Sequence, residues 1–294
     1  MRRSALKAFL GAIAILAVIV GIGAALVRRE DYTEFVEQSI RAHAESHGVR
    51  LSTRQLAIHG IGLSASEVDI FIVRALFGLR LQRVRIDAEV LSPRLTFAST
   101  AYGGALTGRA SGSWFSEERT AEAVFDRIDL GQHPQINAFG FVHGFLSGAV
   151  RNITIEGATP VRAAFDIAID DLSKPEKTNL RPGQLGIPFG FTLPVVTELS
   201  LKAHGSLDGG RISLDKLNVT SSLGALAGTG SMPAAGSGPV VFDGVFTLTP
   251  VGSAAIGPFI MIAGQGAIPP DTTKFRLVLR GTTASPQVRV SRAG

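Results

Sequence analysis

From Val49 onward, apolar residues recur at every second position, and this period constrains the fold more than any other feature. Val161, Ala163, Phe165, Ile167 and Ile169 alternate with Arg162, Ala164, Asp166, Ala168 and Asp170. Val84, Ile86, Ala88 and Val90 alternate with Arg85, Asp87 and Glu89. Leu199 to Ala203, Ile212 with Leu214, Phe242 with Phe246 and Leu248, and Phe275 with Leu277 and Leu279 repeat the pattern. Successive side chains of a strand point to opposite faces, so the chain predicts antiparallel sheet with one apolar and one polar face. No long helical pattern interrupts these strands, which argues against a parallel α/β sheet. Residues 67–79 (EVDIFIVRALFGL) fit either strand or helix.

Glycine punctuates the alternating segments. Tyr102-Gly103-Gly104, Gly108, Gly112, Asp208-Gly209-Gly210 and Gly228-Thr229-Gly230 read as turns between short strands. Residues 173–190 hold three prolines, three glycines and dense charge, which predicts a loop dividing the chain softly into halves.

The N-terminus has different grammar. Ala8 to Val27 is twenty residues without a charge, enough to span a hydrocarbon core of roughly 30 Å as a helix. Arg2, Arg3 and Lys7 precede it, so residues 1–7 are expected in the cytoplasm and 28–294 beyond the membrane. A cleaved signal peptide would have a shorter apolar run and a small-residue cleavage site, which Ala25-Leu26-Val27-Arg28 does not supply. An uncleaved anchor is therefore expected. Residues 255–268 are apolar but short and broken by Pro258 and Gly264, so they read as core rather than a second span. Residues 32–47 space Phe35, Val36, Ser39 and Ile40 as one face of an amphipathic helix that Gly48 would stop.

The net charge of +5 does not mark a nucleic-acid binder. Arg2, Arg3, Lys7, Arg28 and Arg29 flank the apolar run, and the other 24 basic residues match 24 acidic ones. A nucleic-acid face needs basic clustering in the body of the chain. With no cysteine, thiolate metal sites, disulfides and cysteine nucleophiles are excluded.

Catalytic signatures are missing. The chain has no G-x-S-x-G elbow, no phosphate-binding G-x-x-x-x-G-K-[ST] loop and no G-x-G-x-x-G opening a helix. His43 and His47 share a helix face four residues apart, but no third metal ligand is identifiable, so they read as a solvated face. His133, His143 and His204 sit beside Gly or Pro and read as polar turn residues. Asp170-Asp171 and Glu117-Glu118 are adjacent acids that a strand sends to opposite faces. Asn152-Ile153-Thr154 and Asn218-Val219-Thr220 match the short glycosylation pattern, common by chance. The reading is a non-enzymatic protein with no catalytic, cofactor or metal residue.

What the chain offers is apolar sheet surface, including seventeen phenylalanines, with little helix to cover it. Two sheets could close on each other as a sandwich, the ordinary outcome. A single curved sheet could instead leave its apolar face partly open, as a groove for acyl chains or another protein.

The order of features is similar to that of AsmA-like envelope proteins. More narrowly, it resembles the type II secretion system protein N family. The carrying segments are residues 51–72 (LSTRQLAIHGIGLSASEVDIFI), Ala98–Gly112, Phe125–Gly148, Gly209–Met232 and Lys274–Arg289. Within them stand Tyr102-Gly103-Gly104, Asp129-Leu130, a Leu146-Ser147-Gly148 hairpin, and Gly281-Thr282 before Pro286. The resemblance implies a single-span bacterial inner-membrane protein with a periplasmic β domain, docking other secretion subunits through strand edges or the apolar face. The second expectation is an AsmA-like lipid-binding or lipid-transfer protein holding acyl chains in a sheet groove. The expected fold is mainly β: the anchor, a short amphipathic helix, then a large antiparallel curved sheet or sandwich.

Overall fold

The computed structural model describes residues 29–46, 49–59, 62–72, 77–89, 93–112, 118–156, 159–180, 191–234, 238–263, 272–283 and 285–293. The anchor segment Ala8–Val27 lies outside them. No helix among the described residues is long and apolar enough to cross a membrane.

Helix α1 (Arg29–Ser46) leads into strands β1 (Val49–Ser52), β2 (Gln55–His59), β3 (Gly62–Ile72), β4 (Phe77–Glu89), β5 (Arg94–Ala101), β6 (Gly104–Gly112) and β7 (Glu118–Asp129). A short 3-10 turn and helix α2 (Pro134–Asn137) precede β8 (His143–Glu156) and β9 (Thr159–Lys174). The small hairpin β10 (Thr178–Leu180) and β11 (Phe191–Leu193) follows. Then come β12 (Val196–Asp208), β13 (Arg211–Ser221), β14 (Gly224–Pro233), β15 (Val241–Leu248), α3 (Pro250–Ala263), β16 (Lys274–Thr282) and β17 (Ser285–Arg292).

Among the described residues, fifteen strands form one antiparallel sheet. Its order follows the chain from β3 to β9 and from β12 to β17, with β1 and β2 sharing the free side of β3. The expected antiparallel sheet is therefore present as a single open sheet, and among the described residues the only other sheet is the small β10–β11 hairpin. Residues 67–72 and 77–79 are strand. The stretch expected as a loop is partly ordered into strand: β9 runs to Lys174, and Thr178–Leu180 pairs with Phe191–Leu193. β9 then pairs directly with β12, so the sheet continues past this segment.

Two hairpins show why local sequence specifies the register. Gly209 and Gly210 have φ of 55° and 81° and join Asp208 to Arg211. Tyr102 and Gly103, at 49° and 78°, join Ala101 to Gly104. Two consecutive left-handed residues twist a tight turn in the sense that flanking strands require. Tyr102 bears this conformation while its hydroxyl accepts the Arg80 backbone N–H at 3.1 Å.

Five other non-glycine residues with positive φ lie inside strands: Glu67, Arg127, Asn152, Asp171 and Glu198. All five are exposed. The apolar alternation skips a residue at each of them. Buried Leu63 and Ala65 give way to buried Val68 and Ile70 across Glu67. The register breaks between Phe125 and Ile128, between Arg151 and Thr154, at Ile169 to Leu172, and between Val196 and Leu199. Each is a bulge whose extra hydrophilic residue is ejected to solvent. Without it, every following side chain would change face.

The buried core sits at the two ends of the sheet. Val36 and Ala44 of α1 join Leu63, Val68, Leu81, Val84 and Ile86 in one cluster, and Ile128 and Tyr102 extend it. Thr53 anchors the helix by donating to Glu37 at 3.1 Å. At the far end, Leu248 and Phe275 pack with Phe246, Ile256 and Val290. Between Leu172 and Leu248, no apolar side chain among the described residues is buried.

Candidate apolar groove

Register relations place one uninterrupted apolar row across the sheet. Ile58 stands opposite Leu63, Leu63 opposite Ile86, Ile86 opposite Phe97, and Phe97 opposite Gly108. The row continues through Ala123, Val150, Phe165 and Gly205. It ends through Leu214, Gly230, Phe242, Leu279 and Val288. Directly opposed residues share a face, so every member looks the same way. The neighbouring row runs from Leu56 and Ala65 through Val84, Ser99, Leu106 and Phe125. It goes on through Ile167, Ala203 and Leu217 to Leu277 and Val290. Its only polar side chain in register is Ser99. At about 4.8 Å per strand, each row is roughly 60 Å long.

Neither row carries a charge. The intervening row on the other face holds Arg85, Asp166, His204, Lys216, Asp243 and Arg289 in register with their neighbours. Cross-strand ion pairs gather on that polar side. Arg80 meets Asp69 at 2.7 Å, Arg109 meets Glu122 at 2.8 Å, and Arg276 grips Asp243 through both nitrogens. The hydrogen bonds from Arg276 hold the Asp243 carboxyl below its ordinary range. These pairs are exposed and contribute little to stability. A depression of about 420 Å³ on this side is lined by Thr107, Val124, Asp126, Arg151 and Asp166. It mixes both signs of charge, unlike the opposite face.

Glycines shape the apolar rows. A Cβ at Gly205 would fall 2.5 Å from Cζ of Phe165 and onto the carbonyl oxygen of Ser213. A Cβ at Gly228 or Gly244 would fall 2.6 or 2.8 Å from the Phe242 ring. The phenylalanine rings therefore occupy space that only glycine leaves free. Gly228-Thr229-Gly230, expected as a turn, lies inside β14 for this reason; Gly108, also expected as a turn, lies inside β6, where a Cβ would fall 2.8 Å from the Glu122 carbonyl oxygen, and Gly228, Gly230 and Gly108 are on the apolar face. Leu146-Ser147-Gly148, expected as a hairpin, lies inside β8, where Gly148 passes close to the Asp166 carbonyl.

The helices cover the two ends of this face, and the central strands β9 to β14 are left half-buried. Phe165, Ile167, Leu201, Leu214, Leu217 and Leu226 all retain solvent contact. These four adjacent strands, β9, β12, β13 and β14, make the uncovered stretch about 15 Å across. An exposed apolar surface of this kind accepts apolar ligands through area alone, without directional chemistry.

The residues considered for chemistry do not converge. His43 lies on α1, and His47 is outside the described residues. No group of three His, Asp or Glu side chains among the described residues is placed to hold a metal. Asp170 and Asp171 are separated by the bulge, and Asn152 and Asn218 lie within strands β8 and β13. His143 begins β8, and His204 is exposed in β12. His133 is the turn residue expected of it, but a buried one. It is 3 % exposed, its Nε2 lies 2.7 Å from the Gly78 carbonyl, and its ring meets Tyr102 edge-on at 5.4 Å. It ties the segment after β7 to β4, and no local pattern signals a contact 55 residues away.

Comparison with known protein families, curated proteins and solved structures finds no match to this chain.

Proposed function

We propose that this protein binds the acyl chains of lipids along the apolar face of its open sheet. The supporting observation is the row from Ile58 to Val288, which crosses the sheet without a charge and is only half-buried from Phe165 to Phe242. A soluble sheet left to itself would cover such a face or interrupt it with polar residues. The stretch from Phe165 to Phe242 is four strand spacings, about 19 Å, somewhat more than half the hydrocarbon thickness of a bilayer and so about the length of one acyl chain. The bulges at Arg127, Asn152, Asp171 and Glu198 support the reading, because each accepts an uncommon backbone conformation that keeps the face apolar. The anchor expected at Ala8–Val27 would hold the groove at the bacterial inner membrane, with the sheet in the periplasm.

A docking role in type II secretion is the second reading, implied by the resemblance to the protein N family. One observation favours it. β17 pairs on one side only among the described strands, and residues 285–289 are exposed. A free strand edge can take another chain by strand addition.

Purifying the full chain from native membranes, with co-purifying lipids and proteins both identified, separates the two. Stoichiometric phospholipid lost on Leu217→Asp supports the groove. Secretion subunits without excess lipid overturn it in favour of docking.

A further inference from the structure

Helix α3 carries no charged residue, yet Val251 and Ala254 near its start are exposed. Residues 249–270 contain no charged side chain. Its first turn is fixed to the β13–β14 hairpin. Thr249 Oγ1 donates to the Ser222 carbonyl at 2.7 Å, the Gly252 N–H donates to Thr249 Oγ1 at 3.0 Å, and the Leu223 carbonyl sits where a Cβ on Gly252 would be. Ile256 packs against the buried pair Leu248 and Phe275. Val251 remains 62 % exposed. A helix hydrophobic all round belongs in an apolar medium. Fourteen residues give about 21 Å, too short for the roughly 30 Å of a hydrocarbon core. A helix too short to cross can still rest its exposed residues against a membrane surface when neighbouring basic side chains hold it there.

The surrounding charge points to the kind of surface. From Val241 to the C-terminus, Lys274, Arg276, Arg280, Arg289 and Arg292 face only Asp243 and Asp271 in number. Asp243 is already held by Arg276. Exposed Lys274 and Arg292 begin β16 and end β17 at the sheet end where α3 is attached, since Thr247 stands opposite Lys274 and Phe275 opposite Arg292. We infer that α3 seats this basic corner of the sheet on an anionic lipid surface, its free side immersed among the headgroups and upper acyl chains. This inference does not rest on the groove.

The chain has no cysteine, so Val251→Cys gives a unique site for an environment-sensitive fluorophore, and Val124→Cys on the polar face gives a control. The full chain is transferred from detergent into vesicles of phosphatidylcholine, with or without phosphatidylglycerol, carrying a lipid-attached quencher. The inference expects blue-shifted, quenched emission at position 251, stronger with phosphatidylglycerol, and none at 124. Lys274→Glu and Arg292→Glu should each weaken the association about fivefold. An unquenched probe at 251, equal quenching at both positions, or shielding at 251 by a bound protein without lipid quenching would each overturn it.

Discussion

The ring of Phe165 lies directly over Gly205, with Cζ 2.5 Å from the place a Cβ would take, so the two strands β9 and β12 meet through an aromatic seated on bare backbone. The Ser213 carbonyl crowds the same spot from the other side. Gly205→Ala should therefore cost about 1–3 kcal/mol, the usual range for overpacking. Truncating the ring should not rescue it, because the backbone oxygen remains. Denaturation midpoints of Gly205→Ala and of Gly205→Ala with Phe165→Ala test this. Full rescue by the second change would show that the carbonyl is not the obstacle.

Stability should be unevenly distributed along the sheet. Leu81 is almost wholly buried against the α1 end, and Leu81→Ala should cost about 2–5 kcal/mol. Leu217 is half-buried in the uncovered stretch, and Leu217→Ala should cost clearly less while weakening uptake of a fluorescent fatty acid. Equal losses of stability at the two sites would mean that the central face is covered in solution.

Bulge residues should tolerate glycine and resist β-branching. Asn152 has φ of 53°, a region that glycine enters freely and valine does not. Asn152→Gly should leave the melting temperature nearly unchanged, and Asn152→Val should cost about 1–3 kcal/mol. Deleting Asp171 should do more harm than either, since it would turn one end of β9 over. Thermal melts of the three variants give the ranking.

Two groups should each make stability rise with pH, in separate alkaline and acid windows. Burial of Lys174, only 1 % exposed, lowers its pKa below the ordinary 10.5, and its ammonium donates to the Glu176 carbonyl. Between that lowered value and 10.5 the unfolded chain binds more protons, so stability should rise with pH across this window. Lys174→Met should remove the rise and stabilise the fold at neutral pH. Asp243, held below 3.8 by Arg276, contributes stability above 3.8 that is lost as the pH falls further. Arg276→Gln should flatten that acid limb. Urea midpoints measured against pH test both signs.

The regular part of this architecture was legible in the sequence. The alternation from Val161 to Ile169 marks β9, Asp208-Gly209-Gly210 marks the β12–β13 hairpin, and residues 32–47 overlap α1. Glycine was harder, because a turn glycine and a strand glycine look alike locally. Gly228 is explained by Phe242, a residue on the next strand, and Gly205 by Phe165. The long apolar row was hidden for the same reason: each strand shows its own alternation, but the alignment of fourteen strands depends on registers and bulges set by pairing. The burial of His133 was not legible because its partners, Gly78 and Tyr102, are remote in sequence. The apolar segment 255–268 read as core; Ile256 packs against Leu248 and Phe275, and the side chains of residues 258–268 lie outside the described ones.

The central claim is that the apolar rows hold lipid, and adjacent positions on opposite faces test it most directly. Ala203 and Leu217 are paired on the apolar face, and Lys202 and Asn218 are paired on the polar one. A photo-crosslinking amino acid placed at each position of the full chain in native membranes would report what touches it. The groove predicts lipid adducts at 203 and 217 and none at 202 and 218. Protein adducts at 203 and 217 in place of lipid, or no adducts there at all, would contradict it.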